Sequence, residues 1–175
     1  KKAKFVFDFA TTKAGQTKYT MPKSSVYSCK KLVKSVLNSG WGKDNNDYAV
    51  IELDREVTDR SPLKFRKSGK IENGEDLVVM GHPTGIPLKI ADGAYVRKNN
   101  NSIFFTANLD TYGGNSGSAV FNMATGEVEG ILVRGDQDYI QRSGSTCRES
   151  NICPETGCAG ESVTRITNVK EIMRF

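Results

Sequence analysis

The stretch Asp110-Thr-Tyr-Gly-Gly-Asn-Ser-Gly-Ser-Ala-Val120 limits what this chain can become more than any other. Ile103 to Ala107 before it and Ser118 to Phe121 after it read as β-strands, so the chain must leave one strand, turn tightly and enter the next. Glycines at 113, 114 and 117 make such a turn possible, because they accept positive φ without a Cβ clash. Ser116 is thereby held up on a tight loop between rigid supports. A hydroxyl presented in this way can act as a nucleophile when a base is near, and successive N–H groups of the same turn can converge on an oxyanion. Gly, Asn and Ser are also the ordinary residues of a solvated turn, so the motif alone leaves both readings open.

The remaining sequence repeats the alternation of short strands and turns. Runs at 4–10, 17–21, 48–53, 77–80, 86–97, 128–134 and 162–167 read as strands, and Asn73-Gly74 and Thr125-Gly126 as turns. Ser28 to Leu37 fits two periods. Leu32, Val33, Val36 and Leu37 would line a helix face with Gly40 as its C-cap, whereas the β-branched content and strand neighbours favour an extended segment, which we expect. Arg55 to Lys70 is polar, carries Pro62 and reads as a connection between lobes. Asn168 to Phe175 has an N-cap residue and an apolar spacing that predict a terminal helix. Many short strands with regular turns predict antiparallel barrels.

At 175 residues the chain is long enough for one domain or for two small β lobes sharing a core. Its net charge of +5 is spread along the sequence, with small Lys and Arg clusters at 1–4, 30–34 and 64–70 and no aromatic stacking pattern interleaved with them, which favours a solvated surface over nucleic-acid binding. No apolar run reaches membrane-spanning length. Cys29, Cys147, Cys153 and Cys158 fit no zinc template; Cys153-Pro-Glu-Thr-Gly-Cys158 lies among turn formers, which favours disulfides and an oxidising, secreted or periplasmic setting. If the four pair among themselves, three connectivities are open. A calcium loop at Asp44 to Asp47 fails, because Asn46 and Tyr48 stand at its ligand spacing and the required glycine is absent. No metal or cofactor is expected. Asp47 instead sits where a polar loop enters the apolar run Tyr48 to Leu53, a place where a carboxylate becomes partly buried and needs a partner. Phe5, Phe7 and Phe9 alternate from the first residues onward, as in a strand already under way, so we expect the sequence to be part of a longer protein.

Asp47-Tyr-Ala-Val-Ile-Glu-Leu followed by Gly113-Gly-Asn-Ser-Gly-Ser resembles the chymotrypsin-fold serine endopeptidases, and within them the bacterial trypsin-like and glutamyl-endopeptidase branch. The resemblance covers nearly the whole chain. It implies two antiparallel six-stranded β-barrels, the first incomplete here: residues 1–62 as the remainder of the N-terminal barrel, 63–167 as the C-terminal barrel and 168–175 as the helix. It implies Ser116 as nucleophile, Asp47 as the carboxylate orienting a histidine, and the N–H groups of Gly114 and Ser116 as the oxyanion hole. The family's histidine lies upstream of the Asp, in a segment that would precede residue 1. The only histidine present, His82, stands in a turn of the second lobe, Gly81-His-Pro-Thr-Gly85, a context that argues against a role as base. By the same resemblance Asp110 stands at the floor of the pocket for the side chain preceding the scissile bond, implying cleavage after Arg or Lys. Arg134, on the strand that resembles the pocket wall, could neutralise Asp110 or favour an acidic residue. Asn115 stands where animal members carry the Asp that pairs with a freed N-terminus, so activation by that ion pair is not expected. The partner implied is a protein or peptide substrate, with neither nucleic acid nor membrane, and Cys29 could find its disulfide partner upstream. A non-catalytic homologue that keeps the fold for binding is the rival reading.

Overall fold

The computed structural model describes residues 3–38, 45–154 and 156–174. The expected cap Gly40, Asp44 of the rejected calcium loop and Phe175 of the expected helix lie outside them. The strands are β1 (Lys4–Val6), β2 (Val26–Leu37), β3 (Asp47–Leu53), β4 (Asp76–Gly81), β5 (Lys89–Lys98), β6 (Phe104–Ala107), β7 (Ala119–Asn122), β8 (Val128–Arg134), β9 (Tyr139–Gln141), β10 (Arg148–Ser150) and β11 (Glu161–Arg165). The fold is all-β, and among the described residues no helix is long and apolar enough to cross a membrane.

Six strands close into an antiparallel barrel in the order β11-β6-β5-β4-β7-β8. Closure pairs both edges of every strand and leaves alternate side chains to fill the interior. Leu77 and Val79 of β4, Ala94 and Val96 of β5, and Phe105 and Ala107 of β6 do so, together with Val120, Leu132 and Val163. Beside the barrel, β1, β2 and β3 form a three-stranded antiparallel sheet. Tyr48 and Val50 of β3 and Val36 of β2 pack against Val78, Phe121 and Val128 on the outside of the barrel. β4 is thus buried on both faces, which is why Leu77-Val-Val reads as a continuous apolar run rather than an alternating one.

The connection from β3 to β4 is a strap along β8. The Arg66 N–H donates to the Val128 carbonyl at 3.0 Å, and the Val128 N–H to that of Lys64 at 2.9 Å. The Arg66 guanidinium grips the buried Glu129 through both oxygens, at 2.6 and 2.9 Å.

Several expectations are corrected. In place of a terminal helix there are two 3₁₀ turns, Ile166–Asn168 and Lys170–Ile172, closed by bonds such as Val169 N–H to Ile166 O at 3.0 Å. The expected cap, Asn168, sends its side-chain amide to the Ile103 carbonyl at 2.7 Å, so it anchors the segment to the barrel and caps nothing. The first strand ends at Val6, because Asp8 takes a positive φ of 64° and turns its carboxylate to Arg60. Residues 17–21 form no strand. Tyr19 packs edge-on to Phe9 at 5.3 Å and bonds Thr11 at 2.9 Å, anchoring a loop. The ambiguous segment 28–37 is extended, as part of β2. The hairpin β9–β10 was not expected, since its residues are mostly polar. The described residues hold one closed barrel, the three-stranded sheet and the two-stranded β9–β10 sheet.

Candidate active site

The turn between β6 and β7 is fixed from three sides. Within it, the Asn115 N–H donates to the Tyr112 carbonyl at 3.2 Å and the Ser118 N–H to that of Asn115 at 2.9 Å. From β8, the Leu132 carbonyl receives the Gly117 N–H at 2.7 Å. Gly113 is held at both polar groups: its N–H donates to Asp138 Oδ2 at 2.6 Å, and its carbonyl receives the Thr84 N–H at 2.7 Å. Gly114 then takes a φ of +96° so close to the Thr84 turn that a Cβ would stand 2.8 Å from the Thr84 nitrogen. Only glycine fits there.

These bonds orient the next peptide group. In a trans peptide the C=O and N–H point in opposite directions, so the Gly113 carbonyl, turned towards Thr84, directs the Gly114 N–H away from it. Among the described residues, neither this N–H nor that of Ser116 donates to a protein acceptor. The exposed Ser116 directs its Oγ to the Val133 carbonyl at 3.3 Å. Two unpaired donors and a hydroxyl thus share one turn.

Asp47 opens β3 opposite Leu37 and is half-buried. The structure brings this strand entry towards the serine turn through Arg134, whose Nη2 donates to the Asn45 carbonyl at 3.3 Å while its side chain lines the same cavity as Ser116. His82 is occupied otherwise. Its ring stacks on Phe9 at 5.6 Å, its Nδ1 lies 3.1 Å from the Ile86 carbonyl, and it does not line the Ser116 cavity. Asn115 is buried, and its Oδ1 has no partner among the described residues.

The cavity at Ser116 has a volume of about 50 Å³, and its walls include Thr111, Arg134, Asp136, Asp138 and Glu161. Glu161 is only 9% exposed; its burial, with Asp138 and Asp136 nearby, pushes its pKa up to about 7. Its carboxylate lies over Gly135, where any Cβ would fall within about 2 Å of both oxygens. Asp136 is held below the usual carboxylate range by the N–H groups of Ala159 and Gln137. Asp110 is exposed and lines two adjoining cavities, of about 430 and 310 Å³, but not the one containing Ser116. Sequence reasoning missed Glu161, Asp136 and Asp138. The sequence carried no clear signal for Glu161, because the strand it opens, Glu161-Ser-Val-Thr-Arg165, has a single apolar residue. Among the described residues no group of three His, Cys, Asp or Glu is placed to hold a metal ion. A disulfide joins Cys153 to Cys158 in the wall of the cavity of about 430 Å³, and Cys29 and Cys147 are free thiols.

Residues 11–131 match the family model of the trypsin-like peptidase domain. No curated protein matches the chain. Among solved structures, it is similar to an inactive-form mutant of Rv3671c from M. tuberculosis H37Rv, with 15% identity and a TM-score of 0.53 over 85% of this chain and 64% of that one. The active form of the Rv3671c protease from M. tuberculosis gives 18% identity and a TM-score of 0.51 over 82% and 59%. The HtrA-type protease AlgW with a decapeptide gives 19% and 0.55 over 85% and 40%. At these identities the likeness establishes a shared fold, and the chain spans less than two thirds of the length of each.

Proposed function

The chain belongs to the trypsin-like peptidase domain family, with the chymotrypsin fold of its serine proteases, and on that footing we propose that it is a serine endopeptidase of the bacterial, secreted or periplasmic kind, acting through an acyl-enzyme on Ser116. The observation that carries this reading is the Gly113 peptide, clamped by Thr84 and Asp138 so that the N–H groups of Gly114 and Ser116 are left free beside the Ser116 hydroxyl. The Ser116 Oγ attacks the scissile carbonyl, its proton passes to a histidine base, and the two N–H groups receive the developing oxyanion. The base then protonates the leaving amine, and water hydrolyses the ester by the same route. Preorganised donors of this type each lower the barrier by about 3–4 kcal/mol. Asp47 orients the histidine, which is supplied from outside these residues, while β1–β3 within 1–62 form the remainder of the lobe that carries it. Residues 63–167 are the second lobe. Asp110 and Arg134 border the substrate's path, and cleavage follows Arg or Lys. The Cys153–Cys158 disulfide supports an oxidising compartment.

Replacing Ser116 with Ala in the protein that carries the histidine segment abolishes hydrolysis of a casein substrate; retained turnover would sink the assignment. One observation favours a second reading, a non-catalytic homologue acting as a binding module: the single histidine is engaged with Phe9 and Ile86. Covalent labelling by a fluorophosphonate separates the two, because it requires an activated serine. Labelling at Ser116 supports the peptidase, and its absence supports the binding module.

A further inference from the structure

We infer that His82, the chain's single histidine, is a positioning residue for catalysis: it closes the Thr84 turn that aims the Gly114 N–H, and Phe9 in turn holds His82. The role rests on the reading of Gly114 and Ser116 as oxyanion donors. The peptide group joining Gly113 to Gly114 has glycine on both sides, so the flanking backbone resists its rotation little. Its orientation is set from outside, by the Thr84 N–H on the Gly113 carbonyl at 2.7 Å. Whatever keeps Thr84 in place keeps the Gly114 N–H aimed.

Thr84 does not stay there of its own accord. Its φ of +51° is left-handed, a conformation that a β-branched residue adopts only when its surroundings impose it. His82 closes the turn around it twice. Its carbonyl receives the Gly85 N–H at 3.0 Å, and its ring reaches past Thr84 to the Ile86 carbonyl, 3.1 Å from Nδ1. A carbonyl oxygen only accepts, so Nδ1 carries the proton of this bond. Phe9, in the loop after β1, secures both ends of the turn. Its ring stacks on the imidazole at 5.6 Å, with 20° between the planes, and its carbonyl receives the Leu88 N–H at 2.9 Å. Tyr19 packs edge-on to the same ring at 5.3 Å. Direct contacts thus run from this loop through Phe9, His82 and Thr84 to the proposed oxyanion donor. The His82 ring stands outside the Ser116 cavity, so it acts through Thr84 and not on the substrate.

Kinetics and NMR on the protein that carries the histidine segment test the role. His82→Ala lowers kcat on a peptide substrate about 10- to 100-fold and changes KM less than about twofold, because a misaimed donor fails the transition state rather than the bound substrate. His82→Asn, whose Nδ2 takes the place of the imidazole Nδ1, restores most of kcat. In 15N relaxation dispersion the Gly114 amide is free of μs–ms exchange in the native protein and in His82→Asn, and is broadened by it in His82→Ala. A merely structural residue would lower the melting temperature without either change. Unchanged kcat in His82→Ala below its melting transition, an equal loss in His82→Asn, or an unaltered Gly114 amide overturns the proposal. Where His82→Ala does not fold, Phe9→Leu decides: a fall in kcat at steady KM supports the role, and an unchanged kcat overturns it. Hydrolysis by Ser116→Ala keeps the two readings apart. Turnover surviving there refutes the nucleophile, and with it the premise of this proposal. Turnover lost there, with kcat unchanged in His82→Ala, refutes His82 alone.

Discussion

Gly114 joins backbone conformation to chemistry in a single residue. Its positive φ and its approach to Thr84 leave no room for a side chain, and its N–H is one of the two proposed oxyanion donors. Gly114→Ala should push the turn away from Thr84 and rotate that N–H, lowering kcat of the active protease about 10²- to 10³-fold, with KM changed far less. Steady-state kinetics on a peptide substrate checks this, and a proportionate rise in KM alone would contradict it. Glu161 makes a thermodynamic prediction of its own. Its carboxyl titrates near 7 in the folded protein and near 4.5 when unfolded, so the fold favours the protonated form. The resulting stabilisation is complete below about pH 4.5 and is lost as pH rises to about 7, amounting to roughly 3 kcal/mol at most. Thermal melts of the native protein relative to Glu161→Gln, which does not titrate, should therefore fall across this window and level off above it. The glycine turn around Ser116 and the strand entry at Asp47 were legible in the sequence because turn chemistry and strand entry are local. The convergence of Glu161, Asp136 and Asp138 was not, since β8 and β11 must first pair to bring them to one wall.

Among the elements, the strap from β3 to β4 carries one buried ion pair besides its backbone bonds to β8. Glu129 is 2% exposed, and both of its oxygens are held by Arg66. Removing the cation strands a buried charge, so Arg66→Met should cost about 3–5 kcal/mol, and Arg66→Met with Glu129→Leu should recover most of it. Denaturant unfolding of both variants gives the answer; an unaltered midpoint in the single variant would show that the strap contributes little. The disulfide closes a short loop, so reducing it should cost no more than about 2 kcal/mol. The strands were legible wherever apolar residues run or alternate against a core. Two of the failures share one cause: a side chain used for a long-range bond instead of a local one. Asn168 reaches the Ile103 carbonyl and does not cap a helix, and Asp8 turns to Arg60 and ends β1. No window of sequence contains either partner.

At the scale of the whole molecule, the two sheets stand on unequal terms. The barrel is closed, whereas β2 is paired with β3 along one side and with β1 only at Val26 to Ser28 on the other. Among the described residues no strand pairs with that second side beyond Cys29, and Leu32, Val33 and Leu37 lie 56%, 46% and 68% exposed. An open edge with apolar side chains is a template for another strand. The Lys residues at 30, 31 and 34 oppose such pairing by charge, and added salt screens them over about 10 Å at 0.1 M. The 175-residue chain should therefore self-associate increasingly as salt is raised. Replacing Leu32 and Leu37 with Lys should suppress the association without lowering the melting temperature, since neither side chain is in the core. Sedimentation velocity across a salt series measures both arms. If the native chain stays monomeric at high salt, the edge is protected by something other than lysine charge. If the double variant associates equally, the contact lies elsewhere on the molecule. The same edge is where a further strand would extend the small sheet towards a barrel, so a segment that pairs there should abolish the association and raise the melting temperature together.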